Sequence, residues 1–334
     1  PNVDAMIVIL TPQAMTHAVP TAEALAASAK GSGKPVYAVF MGGTEVKAGR
    51  ELLNTLGVPD FPAPHRAVAA LRAACDYAAW RHRPPRVVTR YPVNRRRVER
   101  ILSRHRRSHI FHIGEVMAKE ILQAYGFRIP AGGLATSAEN AVEIADRAGY
   151  PVVMKIASRD IIHKSDVGGV RLNLLNADAV RDAYDLMMLR VQRRAANCVI
   201  DGVYVEKMCP KGREIILGMS RDPQFGPMLM FGIGGIFVEV MKDVTFHLAP
   251  ITADEALKML RETRSFALLE GVRGQARVDV NSIAQGIQRI SQLVTDFPEI
   301  QELDINPYMV SSLGDEPFVA DARIMLAGGT PGQH

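Results

Sequence analysis

The chain has 334 residues, a net charge of +5, 48% hydrophobic and 22% charged residues, a balance that excludes a disordered protein and leaves room for two or three domains with their own cores. Cys75, Cys198 and Cys209 make neither a paired framework nor a Cys/His ligand spacing, which points to a reducing cytoplasm and away from structural zinc. No apolar run reaches the length of a membrane span, so no membrane partner is expected. The opening PNVDAMIVILTP is patterned as a strand and begins with Pro1 instead of methionine, which reads as a processed chain or a fragment whose upstream part is missing.

In chain order, apolar residues 4–10, an alanine-rich helix over 19–30 and a second apolar run at 35–40 predict a βαβ unit. Helices over 45–56 and 64–80 complete a small parallel sheet domain. Thr11, Pro12, Gln13 and Thr16 fall in its first βα turn, as an anion-steering loop or as a plain turn with a hydroxyl cap. Residues 81–111 carry Arg81, Arg83, Arg86, Arg90, Arg95, Arg96, Arg97, Arg100, Arg104, Arg106 and Arg107 with three prolines. With almost no aromatic interleaving, this stretch reads as a solvated linker or a docking face for an acidic surface, and not as a nucleic-acid contact.

From residue 112 the pattern changes. A helix over 114–125 ends at Gly126, an extended piece follows, and Ser137 caps a helix that leads into the strand PVVMKIAS. Lys155 interrupts that apolar strand, a charge that calls for an anionic partner. The loop beyond holds His163, Lys164 and Asp166 and closes on Gly168 and Gly169, a pair able to turn tightly and offer N–H groups to an anion. Val170, Leu172, Leu174 and Leu175 suggest a return strand, 177–194 a helix, and 202–208 a strand ending in Glu206, Lys207 and Met208. Two strands, 213–221 and 227–231, flank the turn DPQFG. The Gly232, Gly234, Gly235 cluster lacks the spacing of a dinucleotide fingerprint. Near the end, Leu303 and Ile305 alternate with Asp304 and Asn306. A turn at Gly314 brings back Asp321, so antiparallel pairing sets Asn306 and Asp321 together, either as hard oxygen donors suited to Mg²⁺ or as a solvated hairpin.

The segments KIASRDIIHKSDVGGV, REIILGMSRDPQFGPMLMFGIGGIFVEVMKD, LLEGVRGQARVD, PEIQELDINP and VADARI resemble, in order and spacing, the nucleotide-diphosphate-forming acyl-CoA synthetases, relatives of succinyl-CoA synthetase. The resemblance covers residues 112–326 as an ATP-grasp domain whose small lobe is about 126–207. Residues 1–80, through the weaker VILTPQAMT, resemble the family's flavodoxin-like ligase domain. The fold it implies is α/β, a parallel-sheet domain followed by a two-lobed ATP-grasp domain. It implies ATP/ADP and Mg²⁺ as cofactors, Lys155 on nucleotide phosphate with Gly168 and Gly169 nearby, and Glu206, Lys207 and Met208 at the adenine. Glu214 would lie near ribose or phosphate, Asn306 and Asp321 on Mg²⁺, and His163 would pass a phosphoryl group from a first phosphohistidine to ADP.

Imidazole suits that carrier role because it is neutral and nucleophilic near pH 7. The family also needs a CoA-binding domain and a ligase domain bearing the first phosphohistidine. Neither occurs in this sequence, so a separate subunit or upstream domains are expected to bring acid and CoA, in an oligomer. An alternative of a different class is a catalytically idle, synthetase-like regulatory region of a protein lysine acetyltransferase. A third, nucleic-acid binding through the arginine stripe, predicts steeply salt-dependent affinity.

Overall fold

The computed structural model describes residues 2–82, 85–158, 160–161, 164–194, 198–234, 242–271, 277–311 and 314–328. They form two compact units, Pro1–Pro85 and Arg86–His334. No helix among the described residues is long and apolar enough to cross a membrane.

The first unit is the expected βαβ. Strands β1 (Met6–Leu10) and β2 (Val36–Phe40) pair in parallel, Met6 opposite Val36, and helix α1 (Ala18–Ser32) connects them. Gly33 ends α1 at φ +64, a left-handed conformation that costs glycine no Cβ clash. Helix α2 (Thr44–Thr55) lies close on α1, since a Cβ at Gly49 would come within 2.8 Å of the Ala18 carbonyl. Ala22, Ala26, Ala38, Phe40, Val46 and Leu53 fill the small core. Helix α3 (Pro64–Arg81) opens with proline at its first turn, where no N–H is needed. In the βα turn, Thr16 Oγ1 accepts the Gln13 N–H, so this hydroxyl caps a turn and His17 is the residue before α1.

The second unit starts earlier than its sequence suggests. Residues 81–111, expected as a linker, hold helix α4 (Arg95–Arg107), whose Val98, Ile101 and Leu102 are buried in the main core. The apolar residues recur at helical spacing between arginines that point outward, so the high arginine density conceals an amphipathic element.

Strand β3 (His112–Ile113) and helix α5 (Glu115–Ala124) follow, then β4 (Gly132–Ala135), α6 (Ala138–Ala148), β5 (Val152–Ser158), β6 (Val170–Leu174), α7 (Ala177–Arg194) and β7 (Ile200–Lys207). Ser137 caps α6 by accepting the Asn140 N–H, as its position predicts. The four strands β4 to β7 form one antiparallel sheet in the order β4-β7-β5-β6, backed by α6 and α7 over a core of its own. In β6 the alternation differs from expectation, because Leu172 is 61% exposed and only the partly buried Leu174 packs on that core.

Strands β8 (Arg213–Asp222), β9 (Gly226–Ile233), β10 (Val244–Leu248), β11 (Ile300–Val310), β12 (Phe318–Val319) and β13 (Ala322–Leu326) build a larger sheet in the order β10-β9-β8-β11-β13-β3, with β12 also on β11. Helices α8 (Ala253–Arg261) and α9 (Val280–Asp296) cover it. The register of β11 against β8 breaks between Ile305 and Tyr308. Asn306 lies in that break and is exposed, while Ile305 and Tyr308 on either side are buried.

Candidate functional site

Strand β5 runs through the middle of the four-stranded sheet, and four of its first five residues are the buried apolar side chains the pattern requires. The fifth is Lys155, 8% exposed. Its in-register partner on β7 is Tyr204, and Glu206 lies two residues further along β7 on the same face. Lys155 Nζ therefore donates to Glu206 Oε1 at 2.8 Å. It also donates to Glu115 Oε1 at 2.8 Å and to the Ala320 carbonyl at 2.5 Å, both brought from outside that sheet.

Helix α5 contributes the other half of the cluster. Glu115 and Lys119 stand one turn apart, and Lys119 Nζ donates to Glu115 Oε1 at 2.8 Å and to Glu206 Oε2 at 2.6 Å. Two lysines and two glutamates thus close a ring in which every ammonium meets both carboxylates. Lys119 also lies 5.2 Å from the centre of the Tyr204 ring. A third ammonium, Lys164, donates to Glu115 Oε2 and, at 3.3 Å, to Asp321 Oδ2. Lys155, Lys119 and Lys164 balance Glu115, Glu206 and Asp321 in charge.

Burial opposes charge on Glu115, yet Lys155, Lys119 and Lys164 hold its carboxyl well below the usual range. Burial likewise works against the Lys155 ammonium, and Glu115 and Glu206 hold it above its ordinary value. Burial and the Glu115 carboxylate push Asp321 up, against the pull of the lysines. Tyr204, buried beside Glu206 and Glu115, rises to about 12. Buried ion pairs contribute little net stability because desolvation offsets the attraction. Five such contacts, among Lys155, Lys119, Lys164, Glu115 and Glu206, therefore mark a place built for charge.

The hairpin places Asn306 and Asp321 side by side in the main chain, with the Asn306 N–H donating to the Asp321 carbonyl at 3.1 Å. One Asp321 carboxylate oxygen accepts the Ala322 N–H at 2.8 Å, and the other faces Lys164. Asn306 and Asp321 carry hard oxygen donors of the type a divalent cation takes together with phosphate and water, and the Lys164 ammonium faces one of the Asp321 oxygens. Among the described residues no group of three or more His, Cys, Asp or Glu could hold a metal alone.

The other expected residues have the following surroundings. His163 and Gly235 lie outside the described residues. Gly168, at φ +74, and Gly169 close a tight loop, and their N–H groups donate to the Ser165 and Lys164 carbonyls. Glu206 turns its carboxylate to the two ammoniums of Lys155 and Lys119. The N–H groups of Lys207 and Met208 donate to the carbonyls of Ala131 and Pro151. Glu214 is exposed at the start of β8, away from the ring's contacts. Glu115, Lys119 and Lys164 were not expected at the site. For the first two the signal is positional, since Glu115, Lys119 and buried Leu122 share one helical face.

A family model described as an ATP-grasp domain matches residues 91–326. The chain is 38% identical over 326 residues to the ADP-forming 4-hydroxybutyrate–CoA ligase of Nitrosopumilus maritimus, covering 98% of this chain and 47% of that protein. It is 45% identical over 212 residues to the β subunit of the ADP-forming acetate–CoA ligase I of Pyrococcus furiosus, covering 64% of this chain and 90% of that subunit. Among solved structures, acetyl-coenzyme A synthetase 1 of Ca. Korarchaeum cryptofilum, in complex with coenzyme A and Ca-AMPCP, aligns with a TM-score of 0.67 at 38% identity over 68% of this chain and 99% of that one. The chain spans about half the length of the first of these relatives and nearly the whole of the separate β subunit. Carrying an ATP-grasp domain over residues 91–326, the chain belongs to the family of ADP-forming acyl-CoA ligases.

Proposed function

We propose that this chain is the nucleotide-binding, phosphoryl-transferring portion of an ADP-forming acyl-CoA ligase, which interconverts acyl-CoA, ADP and phosphate with acid, CoA and ATP. The observation that carries this reading is the buried ring of Lys155, Lys119, Glu115 and Glu206 set beside the Asn306–Asp321 pair. Phosphoryl transfer is chiefly a matter of position and charge neutralisation, and lysines held charged by burial among carboxylates supply both. Lys155 and Lys119 offer their positive charge to the phosphate oxygens while they remain on Glu115 and Glu206. Asn306 and Asp321 hold Mg²⁺, which when bound neutralises the polyphosphate.

The adenine lies along the strand end at Glu206, Lys207 and Met208, with Glu214 toward the ribose or phosphates. Gly168 and Gly169 shape the loop beyond Lys155. His163 carries the phosphoryl group: its ring nitrogen bonds to the terminal phosphorus of ATP as the bond to the bridging oxygen breaks and ADP leaves, and the reverse step makes ATP. The CoA-binding and acyl-handling half comes from a separate subunit or from additional domains of a longer polypeptide, and the working enzyme is a cytoplasmic oligomer. The Pyrococcus β subunits, which this chain covers almost fully, support the two-part arrangement.

The test is incubation with terminally labelled ATP and Mg²⁺. An acid-labile, base-stable protein phosphate that is lost in His163→Ala is the expected result. Binding of nucleotide without labelling would instead identify a catalytically idle regulatory region.

A further inference from the structure

Lys164 is the one ammonium of the cluster to which the proposed function gives no task. It stands at the start of the 164–169 loop, which is held by three main-chain bonds: Gly168 N–H to Ser165 O at 3.0 Å, Gly169 N–H to Lys164 O at 2.7 Å, and Ile156 N–H to Gly169 O at 2.7 Å. Its side chain, 15% exposed, leaves the loop and ends between Glu115 Oε2 and Asp321 Oδ2. One Asp321 oxygen accepts the Ala322 N–H, and Lys164 stands on the other, where it occupies the carboxylate a metal would need.

We propose that Lys164 is an internal counter-cation that holds the divalent-metal position at Asp321 until the metal arrives with nucleotide, and that its eviction releases the 164–169 loop. This rests on the metal reading of Asn306 and Asp321 given above. Mg²⁺ carries twice the charge of an ammonium and takes carboxylate oxygen at about 2.0–2.1 Å, so the two cations repel when they share one oxygen and the divalent ion prevails. Lys164 is the lysine free to move. Lys119 and Lys155 sit on α5 and β5 and each bridge two buried glutamates, whereas Lys164 sits on a loop. When it leaves, Glu115 keeps two ammoniums and no buried charge is orphaned. The phosphates that accompany the metal give the departing ammonium a new partner. Lys164 is thus a positioning residue whose location reports whether the metal site is filled.

Calorimetric titration with ADP, in Mg²⁺ and in EDTA, is combined with amide hydrogen exchange of residues 156 and 164–169 on the intact chain. Lys164→Gln should bind ADP in Mg²⁺ about fivefold or more tightly than wild type, the lower end of ordinary coupling between sites, with no such gain in EDTA. Its loop amides should exchange quickly without ligand. Wild-type loop amides should exchange faster once Mg²⁺ and ADP are added, and Lys164→Arg, which keeps the cation, should behave as wild type.

Equal or weaker binding by Lys164→Gln, or a wild-type loop indifferent to Mg²⁺ and ADP, overturns the inference. Asp321→Asn separates the two levels. If it keeps the wild-type metal dependence, or if wild type shows none, the metal reading falls and this inference with it. If metal dependence is lost in Asp321→Asn while Lys164→Gln changes nothing, only this inference falls.

Discussion

Glu115→Gln replaces one carboxylate oxygen by an amide of nearly the same shape, at a side chain 6% exposed that accepts from three ammoniums. The cluster then holds three lysines against Glu206 and Asp321, one uncompensated positive charge. Removing one partner from a buried ion pair costs about 3–5 kcal/mol. An unbalanced charge about 4 Å from the next one, at an effective dielectric near 20, gives about 4 kcal/mol, so the two routes agree. The loss should appear as a lower free energy of opening for the slowest-exchanging amides of β5 and β7.

Hydrogen exchange is the suitable assay because it reads β5 and β7 directly, whereas the single tryptophan, Trp80, belongs to the first unit. Inorganic phosphate should restore more stability to Glu115→Gln than to wild type, since an anion now meets an excess of ammonium. A loss under about 1 kcal/mol, in the range of an exposed pair, together with no differential effect of phosphate, would refute the closed ring.

Two further outcomes follow from the second unit's outer parts. Leu102→Ala should cost about 2–5 kcal/mol by urea unfolding followed with far-ultraviolet circular dichroism, since Leu102 on α4 is 1% exposed; a change within about 0.5 kcal/mol would return residues 95–107 to the status of a solvated linker. Glu255 accepts from Arg86 at 2.8 Å and from the Thr252 N–H at 2.9 Å, and although burial opposes its charge these partners lower it from 4.5 to about 2. A lowered folded-state value means its contribution is complete above pH 4.5 and is lost as pH falls from 4.5 toward 2. Glu255→Gln should therefore flatten the stability profile in that window, by about 1 kcal/mol or less because Arg86 is 56% exposed. An unchanged slope would remove Glu255 from the titration.

Lys155 was legible because a charge inside an apolar strand needs a local reason, and the Asn306–Asp321 pair because period-two alternation and a glycine turn fix which residues meet. Glu115 and Lys119 were not, since on an amphipathic helix they read as an ordinary surface pair, and their partner Glu206 is distant in the chain. The glycine pair shows a different limit. Composition announces that Gly168 and Gly169 permit a turn, but only the closed loop reveals that their N–H groups point inward to Ser165 and Lys164. For α4, eleven arginines between residues 81 and 107 outweighed three apolar side chains at helical spacing.

The register break in β11 carries a consequence for how such a center can evolve. Asn306 projects from the one place where an eleven-residue core strand parts from β8, flanked by the buried Ile305 and Tyr308. A side chain mounted there inherits the stiffness of the whole sheet behind it, so its location is difficult to adjust by small substitutions. Divergence in affinity among descendants of this scaffold should accumulate in residues 164–169, where a single exchange retunes the electrostatics without disturbing the masonry.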